Sequence, residues 1–352
     1  AKSILKQGLI YYNTDKDDAA ITKFKKVVAE FPNSPESLEA VATAKSIYKA
    51  NGKVGEYAAW VKTLSFVEVT DAELDNDMYE SAEKQYLNNS PKKAIEGFTS
   101  YLAQFPNGLH ALKVHFYLAQ LYFADKLEKN AIPHYDYVIA QARNEFTEQA
   151  LVRLSEIHLK DKNCELAISV LKQVETIAEF PQNTTFAQAN LMKCYYEKQD
   201  FVNSEIYADK VLKNPKMDDK IKSDAQIIIA RSAIKTNNDA KAKEAYAKLQ
   251  KIAKGELAAE ALYYDAYFKN KEGKFDASNK AVEKYSSTYS GYKYFGAKSL
   301  VVMAKNYYGL KDSFQATEIL QSIIDNFTEF PDVVTECQTE LDKIKAEEAK
   351  TN

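Results

Sequence analysis

AEFPNS, residues 29–34, returns as AQFPNG at 103–108, as AEFPQN at 178–183 and, less closely, as TEFPDV at 328–333. The phenylalanines Phe31, Phe105, Phe180 and Phe330 are therefore 74, 75 and 150 residues apart. Those gaps are close to two, two and four units of roughly 37 residues, a period that marks one supersecondary unit repeated along the chain. A chain of 352 residues would otherwise suggest two or three globular domains; a repeat instead predicts one elongated body. In this reading Phe31 packs the end of a helix and Pro32 stops it before the next unit begins.

Working outward, the first unit holds two helical periods. Ile4, Gly8 and Tyr11 precede the polar turn NTDKDD at 13–18, and Ala20, Ile21, Phe24, Val27, Val28 and Phe31 follow it. Small residues at Gly8 and Ala20 let two antiparallel helices approach, while Tyr11 and Phe24 fill the space beside them. The same order recurs at Ala82, Tyr86, Ala94, Phe98 and Pro106, and at Ala119, Tyr122, Ala131 and Tyr135. Later units keep the frame with Ala230, Ala242 and Tyr246, with Ala266, Gly273, Phe275 and Ser278, and with Ala304, Tyr307, Ala316 and Leu320. The second unit fits least well, placing Glu56 at the small site and Trp60 at the aromatic one.

Turn chemistry supports these frames independently: KDKN at 160, EKQD at 197, TNND at 236, NKEG at 270 and GLKD at 309 all fall between two helical periods. Ser90-Pro91 reads as an N-cap followed by proline at the first helical position. Pro133 is placed near the first turn of its helix, where backbone N–H groups have no intrahelical partner.

The small-aromatic-small-aromatic-proline order on Gly8, Tyr11, Ala20, Phe24 and Pro32 resembles the tetratricopeptide repeat. The resemblance implies an all-α fold: a right-handed α-solenoid of about nine helical hairpins starting near residues 1, 37, 75, 112, 148, 185, 223, 259 and 297. A C-terminal capping helix is expected over about 332–349, with Val333, Cys337, Leu341 and Ile344 on its apolar face. Residues 1–352 form a single superhelix in this scheme. Within the frames the proline moves later, from Pro32 and Pro106 to Pro181 and Pro331, which predicts longer second helices or linkers in the later units.

Composition narrows the function classes. With 45% hydrophobic and 28% charged residues and only 10 glycines, the chain is too apolar for disorder and short of the turn residues an all-β protein needs. The formal net charge is −3, and only Arg143, Arg153 and Arg231 are arginines. Arginine is the preferred reader of phosphates and guanine edges, so the lysine skew argues against a nucleic-acid surface. No run of about 18 apolar residues exists, and AKSILKQGLIYYN at the start lacks a signal-peptide core. An export signal or lipid anchor, if there is one, precedes Ala1.

Chemistry-bearing motifs are sparse. His110, His115, His134 and His158 form no HxxxH or HExxH arrangement, and no GxxxxGK[ST], GxGxxG or GxSxG occurs. Cys164, Cys194 and Cys337 make no zinc spacing; a Cys164–Cys194 pair stays open. No metal site, no cofactor and no enzymatic activity is expected.

The resemblance points instead to a concave groove lined by the first helix of each hairpin. Its ninth place reads Leu9, Lys45, Glu83, Gln120, Glu156, Lys193, Arg231, Tyr267 and Lys305; its twelfth reads Tyr12, Tyr48, Tyr86, Phe123, Leu159, Tyr196, Ile234, Asn270 and Tyr308. A polar ladder beside an aromatic one suits an extended peptide or partner helix, although rings at the twelfth place also serve packing. The expected partner-binding set is Lys45, Tyr48, Glu83, Tyr86, Gln120, Phe123, Glu156, Lys193, Tyr196, Arg231, Tyr267, Lys305 and Tyr308. Chaperone-binding relatives hold a terminal carboxylate partly at the fifth place, but that row runs Leu5, Val41, Tyr79, Phe116, Val152, Ala189, Ile227, Tyr263 and Val301, which makes no such clamp.

Two further surfaces stand out. From Ser65 to Ser100 eight acidic residues face three basic ones, and from Glu205 to Lys254 twelve basic face seven acidic; these read either as solvated helix faces or as docking patches of opposite sign. The connector YSSTYSGYKYFGAK carries Tyr285, Tyr289, Tyr292, Tyr294 and Phe295, and rings left unpacked there would form a sticky patch.

The Phe-Pro-Asn-Ser ending and the lengthened unit resemble the bacterial envelope branch of these repeat proteins, which includes outer-membrane barrel-assembly lipoproteins and the periplasmic coordinator of the Tol–Pal system. The resemblance implies a non-enzymatic scaffold that binds partner proteins or peptides within a multi-subunit complex, in the periplasm or at the outer-membrane periphery of a Gram-negative bacterium. A cytoplasmic adaptor using the same groove for a peptide is the alternative.

Overall fold

The computed structural model describes residues 1–351. Among the described residues there are nineteen α-helices and no strand. The chain divides into two compact units, the first ending at Ile157 and the second beginning at His158. The first holds α1 (Lys2–Tyr12), α2 (Asp17–Glu30), α3 (Pro35–Ala50), α4 (Val54–Val61), α5 (Asp71–Leu87), α6 (Pro91–Gln104), α7 (Ala111–Ala124) and α8 (Glu128–Ala140). Residues of α9 (Thr147–Lys160) fall on both sides of the division. The second holds α10 (Cys164–Ile177), α11 (Pro181–Glu197), α12 (Phe201–Lys213), α13 (Asp219–Lys235), α14 (Asp239–Leu249), α15 (Gly255–Lys271), α16 (Phe275–Thr288), α17 (Lys293–Gly309), α18 (Ser313–Asn326) and α19 (Pro331–Thr351). In each unit antiparallel hairpins, one odd-numbered helix and the next even one, stack on their sequence neighbours, the architecture of an α-solenoid.

The turns inside the hairpins repeat more faithfully than the sequence does. One residue of each turn adopts a left-handed backbone: Asp15, Gly52, Asn89 and Lys126 in the first unit, and Lys162, Gln199, Asn237, Gly273 and Lys311 in the second. The next N–H then reaches back into the last turn of the preceding helix. Lys16 N donates to Tyr11 O at 2.9 Å, Ser90 N to Gln85 O at 2.9 Å and Asp312 N to Tyr307 O at 2.9 Å. This is a Schellman closure, which satisfies carbonyls that a helix end would leave exposed. Most of these positions carry side chains that pay steric strain there. Gln199→Gly should stabilise the fold by about 1 kcal/mol, and Gly273→Ala, whose new Cβ would meet nothing within 4 Å, should destabilise it by about 1 kcal/mol. Equal melting midpoints for both variants and the parent would refute that assignment.

Small and large residues interlock between the paired helices. A Cβ added at Gly8 would lie 2.6 Å from the Phe24 ring, so the glycine is what lets the buried Phe24 reach the facing helix. Ala94 with Phe98 and Ala131 with Tyr135 are likewise fully buried. The second hairpin departs from the expected register. Glu56 is exposed and Trp60 only partly buried, while Val54, Tyr57, Ala58 and Val61 are the buried residues of α4. Counted from the N-cap, Tyr57 stands where α2 has Ala20 and Val61 where it has Phe24, so large and small are exchanged. That helix is only 8 residues long, and Leu64, Phe66, Val67 and Val69 of the following linker pack on the core in its stead.

Four further expectations are corrected. Phe31 is 39% exposed, so its ring covers the helix end only in part. Pro32 and Pro106 do follow a helix stop, whereas Pro181 and Pro331 open the next helix. Consequently α2, α6, α10 and α18 are all 14 residues long, and the later prolines mark a change of role rather than longer elements. Pro133 lies inside α8, beyond the first turn, and the helix continues through it. Ser90 and Pro91 do open α6, but Ser90 makes no side-chain cap.

At the C-terminus Val333, Cys337, Leu341 and Ile344 are all buried and join the α17–α18 core, so α19 caps the second unit. The aromatic connector is mostly spent on its junction. Tyr285 is 1% exposed and donates to Tyr292 O at 2.7 Å, Tyr294 donates to Asp332 Oδ2 at 2.8 Å, and Phe295 packs on Tyr263 at 5.6 Å. Only Tyr292 remains open, at 38%, which is too little for a sticky patch.

Candidate partner-binding face

The polar row expected to contact a partner is largely occupied by the adjacent hairpin. Lys45 on α3 lies 2.6 Å from Asp77 Oδ2 on α5. In the second unit Lys193 on α11 pairs with Asp224 on α13 at 2.8 Å. Arg231 on α13 grips Glu260 on α15 with Nε–Oε1 at 3.0 Å and a second guanidinium nitrogen on Oε2 at 2.5 Å. Lys305 on α17 reaches Glu336 at 2.7 Å and Glu340 at 3.3 Å on α19. A cation on one first helix thus reads a carboxylate on the next. The remaining polar members turn to their own helix: Glu83 accepts from Tyr79, and Glu156 pairs with Arg153 at 2.8 Å. Gln120 differs, because its Nε2 is buried with no hydrogen-bond partner.

The aromatic row behaves unevenly. Tyr48 is 2% exposed and packs against Tyr57, so it belongs to the core and is closed to a partner. Tyr86, Phe123, Tyr196, Tyr267 and Tyr308 are only partly buried. Tyr86 stacks on Tyr117 at 4.7 Å, the Arg153 guanidinium lies 4.9 Å over Phe123, Tyr196 tilts onto Phe201 at 5.9 Å, and Lys271 sits 5.4 Å over Tyr267. Tyr308 donates to Glu347 and, with Lys305 and Asn270, lines a cavity of about 350 Å³ whose other walls include Phe275 and Leu320. The fifth-place row packs between helices: Leu5, Val41, Tyr79, Phe116, Ala189, Ile227, Tyr263 and Val301 are all buried.

Sequence reasoning missed the acceptors Asp77, Asp224, Glu260 and Glu336, the ring Tyr117 that stacks on Tyr86, and Tyr264, which meets Tyr267 edge-on at 5.8 Å. It also overstated free charge. In the acidic stretch Asp71 pairs with Lys62, Asp77 with Lys45 and Lys49, and Glu80 with Lys49, while Glu73 closes a capping box with Thr70. In the basic one Lys210 pairs with Glu175, Lys241 with Glu205 and Lys243 with Glu272. The three cysteines are free thiols, and Cys164 Sγ donates to Glu197 Oε2 at 3.2 Å.

Asp77 gives the ladder a pH signature. Burial alone would raise its carboxyl, but Lys45 and Lys49 outweigh that and hold it below the ordinary value. Lys49 donates to Oδ1 at 2.8 Å, whereas Lys45 lies close to Oδ2 but off the hydrogen-bonding direction, so that contact is electrostatic. A depressed carboxyl contributes stability that is present above its unfolded value of about 3.9 and is lost as pH falls through the folded value. Asp77→Asn should therefore weaken the fold at pH 7, and its deficit should begin to shrink only as pH falls below about 4. Denaturant midpoints that differ by the same amount across that range would rule the linkage out.

Elsewhere the structure joins two residues that the sequence left apart. His115 on α7 and His134 on α8 place their Nδ1 atoms 2.9 Å from each other. Burial, then the facing His134, pushes His115 down to about 4, and burial also lowers His134.

A family model described as "Tetratricopeptide repeat" matches residues 2–34, the first hairpin. No curated protein matches the sequence. Among solved structures the chain is similar to yeast Tom70, at 13% identity over 99% of this chain and 96% of that one, with a TM-score of 0.37. It is similar also to Pseudomonas aeruginosa pilF, at 15% identity over 64% and 97% with a TM-score of 0.38. The third, the TPR2AB-domain:pHSP90 complex of yeast Sti1, matches at 14% identity over 77% and 96% with a TM-score of 0.34. Likeness at this level carries no argument about fold or partners, and the helical-hairpin architecture rests on the chain's own helices.

Proposed function

We propose that this chain is a non-enzymatic scaffold that binds extended segments of partner proteins on the first helices within each of its two compact units. The observation that carries the reading is the contrast between the two rows. Rings at Tyr86, Phe123, Tyr196, Tyr267 and Tyr308 stay partly open, while the cations of the polar row, Lys45, Lys193, Arg231 and Lys305, already hold carboxylates of a following helix. A partner is then held by aromatic area and by hydrogen bonds to its backbone, with charge in a minor role. Binding of that kind changes little with ionic strength, whereas docking on charged patches would collapse at high salt.

The Phe-Pro-Asn-Ser and Phe-Pro-Asn-Gly helix stops support placing the protein in a complex of the Gram-negative envelope, periplasmic or at the outer-membrane periphery. Only the copies at Phe31 and Phe105 act as stops, so this part of the proposal rests on two units. Among the described residues no helix is long and apolar enough to cross a membrane. The alternative, a cytoplasmic peptide-binding adaptor, is separated by osmotic-shock fractionation of the native cell: co-release with cytosolic markers alone would favour the adaptor.

The binding proposal is tested by affinity capture with the full chain and with Tyr86→Ala, Phe123→Ala and Tyr196→Ala combined, after circular dichroism has shown the variant folded. Loss of specific partners that survive high-salt washing in the parent is expected. Capture of every partner at undiminished yield would move binding off these rings.

A further inference from the structure

We infer that His115 and His134 form a two-imidazole clasp for a divalent transition-metal ion of the copper(II) or nickel(II) type. The residues are 19 apart on the two helices of one hairpin, so no single-helix histidine motif registers them. Their Nδ1 atoms are 2.9 Å apart and their rings 5.0 Å apart at 51°. Flanking rings fix both orientations. Tyr137 stacks on His115 at 3.7 Å and 11°, and Tyr122 lies 5.8 Å from His134 at 16°. Neither histidine is fully buried, which leaves a path for an ion.

Geometry selects the class of metal. At a metal–nitrogen distance of about 2.0–2.1 Å, two donors on adjacent corners of a square or octahedron stand about 2.9 Å apart, and tetrahedral donors about 3.3 Å. The observed spacing matches the first case, and each ring then tips in its own plane to turn its Nδ1 from the hydrogen-bond axis toward the shared ion. Imidazole suits copper and nickel and is a poor ligand for calcium or magnesium. With no metal present, one ring must donate its Nδ1–H to the other. Binding also needs this ring to move its proton to Nε2, so that both Nδ1 atoms offer a lone pair to the ion and no net proton leaves the pair. Among the described residues no group of three or more histidine, cysteine or carboxylate side chains converges on a metal site. Water therefore fills the other coordination positions, and the ion exchanges readily.

The test is titration of the untagged full chain with copper(II) chloride alone, in a non-coordinating buffer, followed by calorimetry and electron paramagnetic resonance. One saturable equivalent is expected, with superhyperfine splitting from imidazole nitrogens. His115→Gln and His134→Gln should each weaken that equivalent by about tenfold or more, while His110→Gln and His158→Gln leave it unchanged. The spectrum of the parent protein reads the ligands directly, so the outcome does not depend on a variant folding. Absence of a saturable equivalent, a spectrum without imidazole nitrogen, or unaltered affinity in the His115 and His134 variants would overturn the assignment.

Discussion

Replacing Arg231 with methionine is expected to destabilise the fold by about 3 kcal/mol, the lower end of what breaking a buried pair costs. The reason lies in the residue left behind. Glu260 is 2% exposed, accepts two guanidinium hydrogen bonds, and takes a third at 2.8 Å from the buried Tyr246 hydroxyl. Without Arg231 its charge stays inside with one neutral donor. The lower end applies because the Arg231 side chain is 43% exposed, so water can partly replace it. Lys193→Met is the control from the same row. Its carboxylate, Asp224, is 26% exposed and water takes over the lost contact, so the cost should stay below about 1 kcal/mol. Arg231→Lys should fall between, since an ammonium cannot serve both oxygens in the fork geometry. Thermal unfolding followed by circular dichroism reads all three; equal midpoints for Arg231→Met and Lys193→Met would show that burial of the carboxylate does not set the cost.

What the sequence disclosed and what it hid divide along physical lines. The period was legible because helix-to-helix approach demands a small residue and a ring at fixed places, as at Gly8 and Phe24 or Ala131 and Tyr135. The second hairpin was misread by one residue because Tyr57 and Val61 exchange sizes with Ala20 and Phe24, and total volume, not order, satisfies packing. The left-handed turn residues were invisible because lysine, glutamine, asparagine and aspartate occupy most of them, and the closure is a property of the backbone. The ladder's cations were on the page at Lys45, Lys193, Arg231 and Lys305. Their acceptors were not, since each stands on a later helix, 29 residues on for Arg231 and 31 for Lys305, and the spacing within one helix carries no record of it. The His115–His134 contact escaped for the same reason: helices pair across a turn, and one helix's periodicity cannot report it.

The Phe-Pro-Asn copies give the sharpest case, because two nearly identical peptides should answer reciprocal substitutions with losses of very different size. In the first copy Asn33 is left-handed at φ 57°, and Ser34 caps α3 by accepting from Ser37 N at 3.1 Å. In the second, Gly108 lies against a buried cluster. Asp75, 5% exposed, accepts from Tyr101 Oη at 2.5 Å and from Leu109 N at 2.8 Å, and His110 N donates to the same Tyr101 oxygen at 3.0 Å. A Cβ at Gly108 would sit 2.4 Å from Tyr101 Oη and 2.5 Å from Asp75 Oδ2, and the fully buried tyrosine has nowhere to withdraw. Gly108→Ser, which makes the second copy match the first, should therefore cost about 2–4 kcal/mol, combining overpacking with loss of hydrogen bonds to a buried carboxylate. Ser34→Gly, the reverse exchange, should cost only a few tenths of a kcal/mol, about what glycine costs at a serine N-cap. Gly108→Ala isolates the steric part, since alanine adds the Cβ without a hydroxyl that could rebond to Asp75. Denaturant midpoints for the three variants decide the matter. If Gly108→Ser and Ser34→Gly shift the midpoint equally, the glycine is only a linker residue and the Asp75–Tyr101 cluster does not anchor the third hairpin to the fourth.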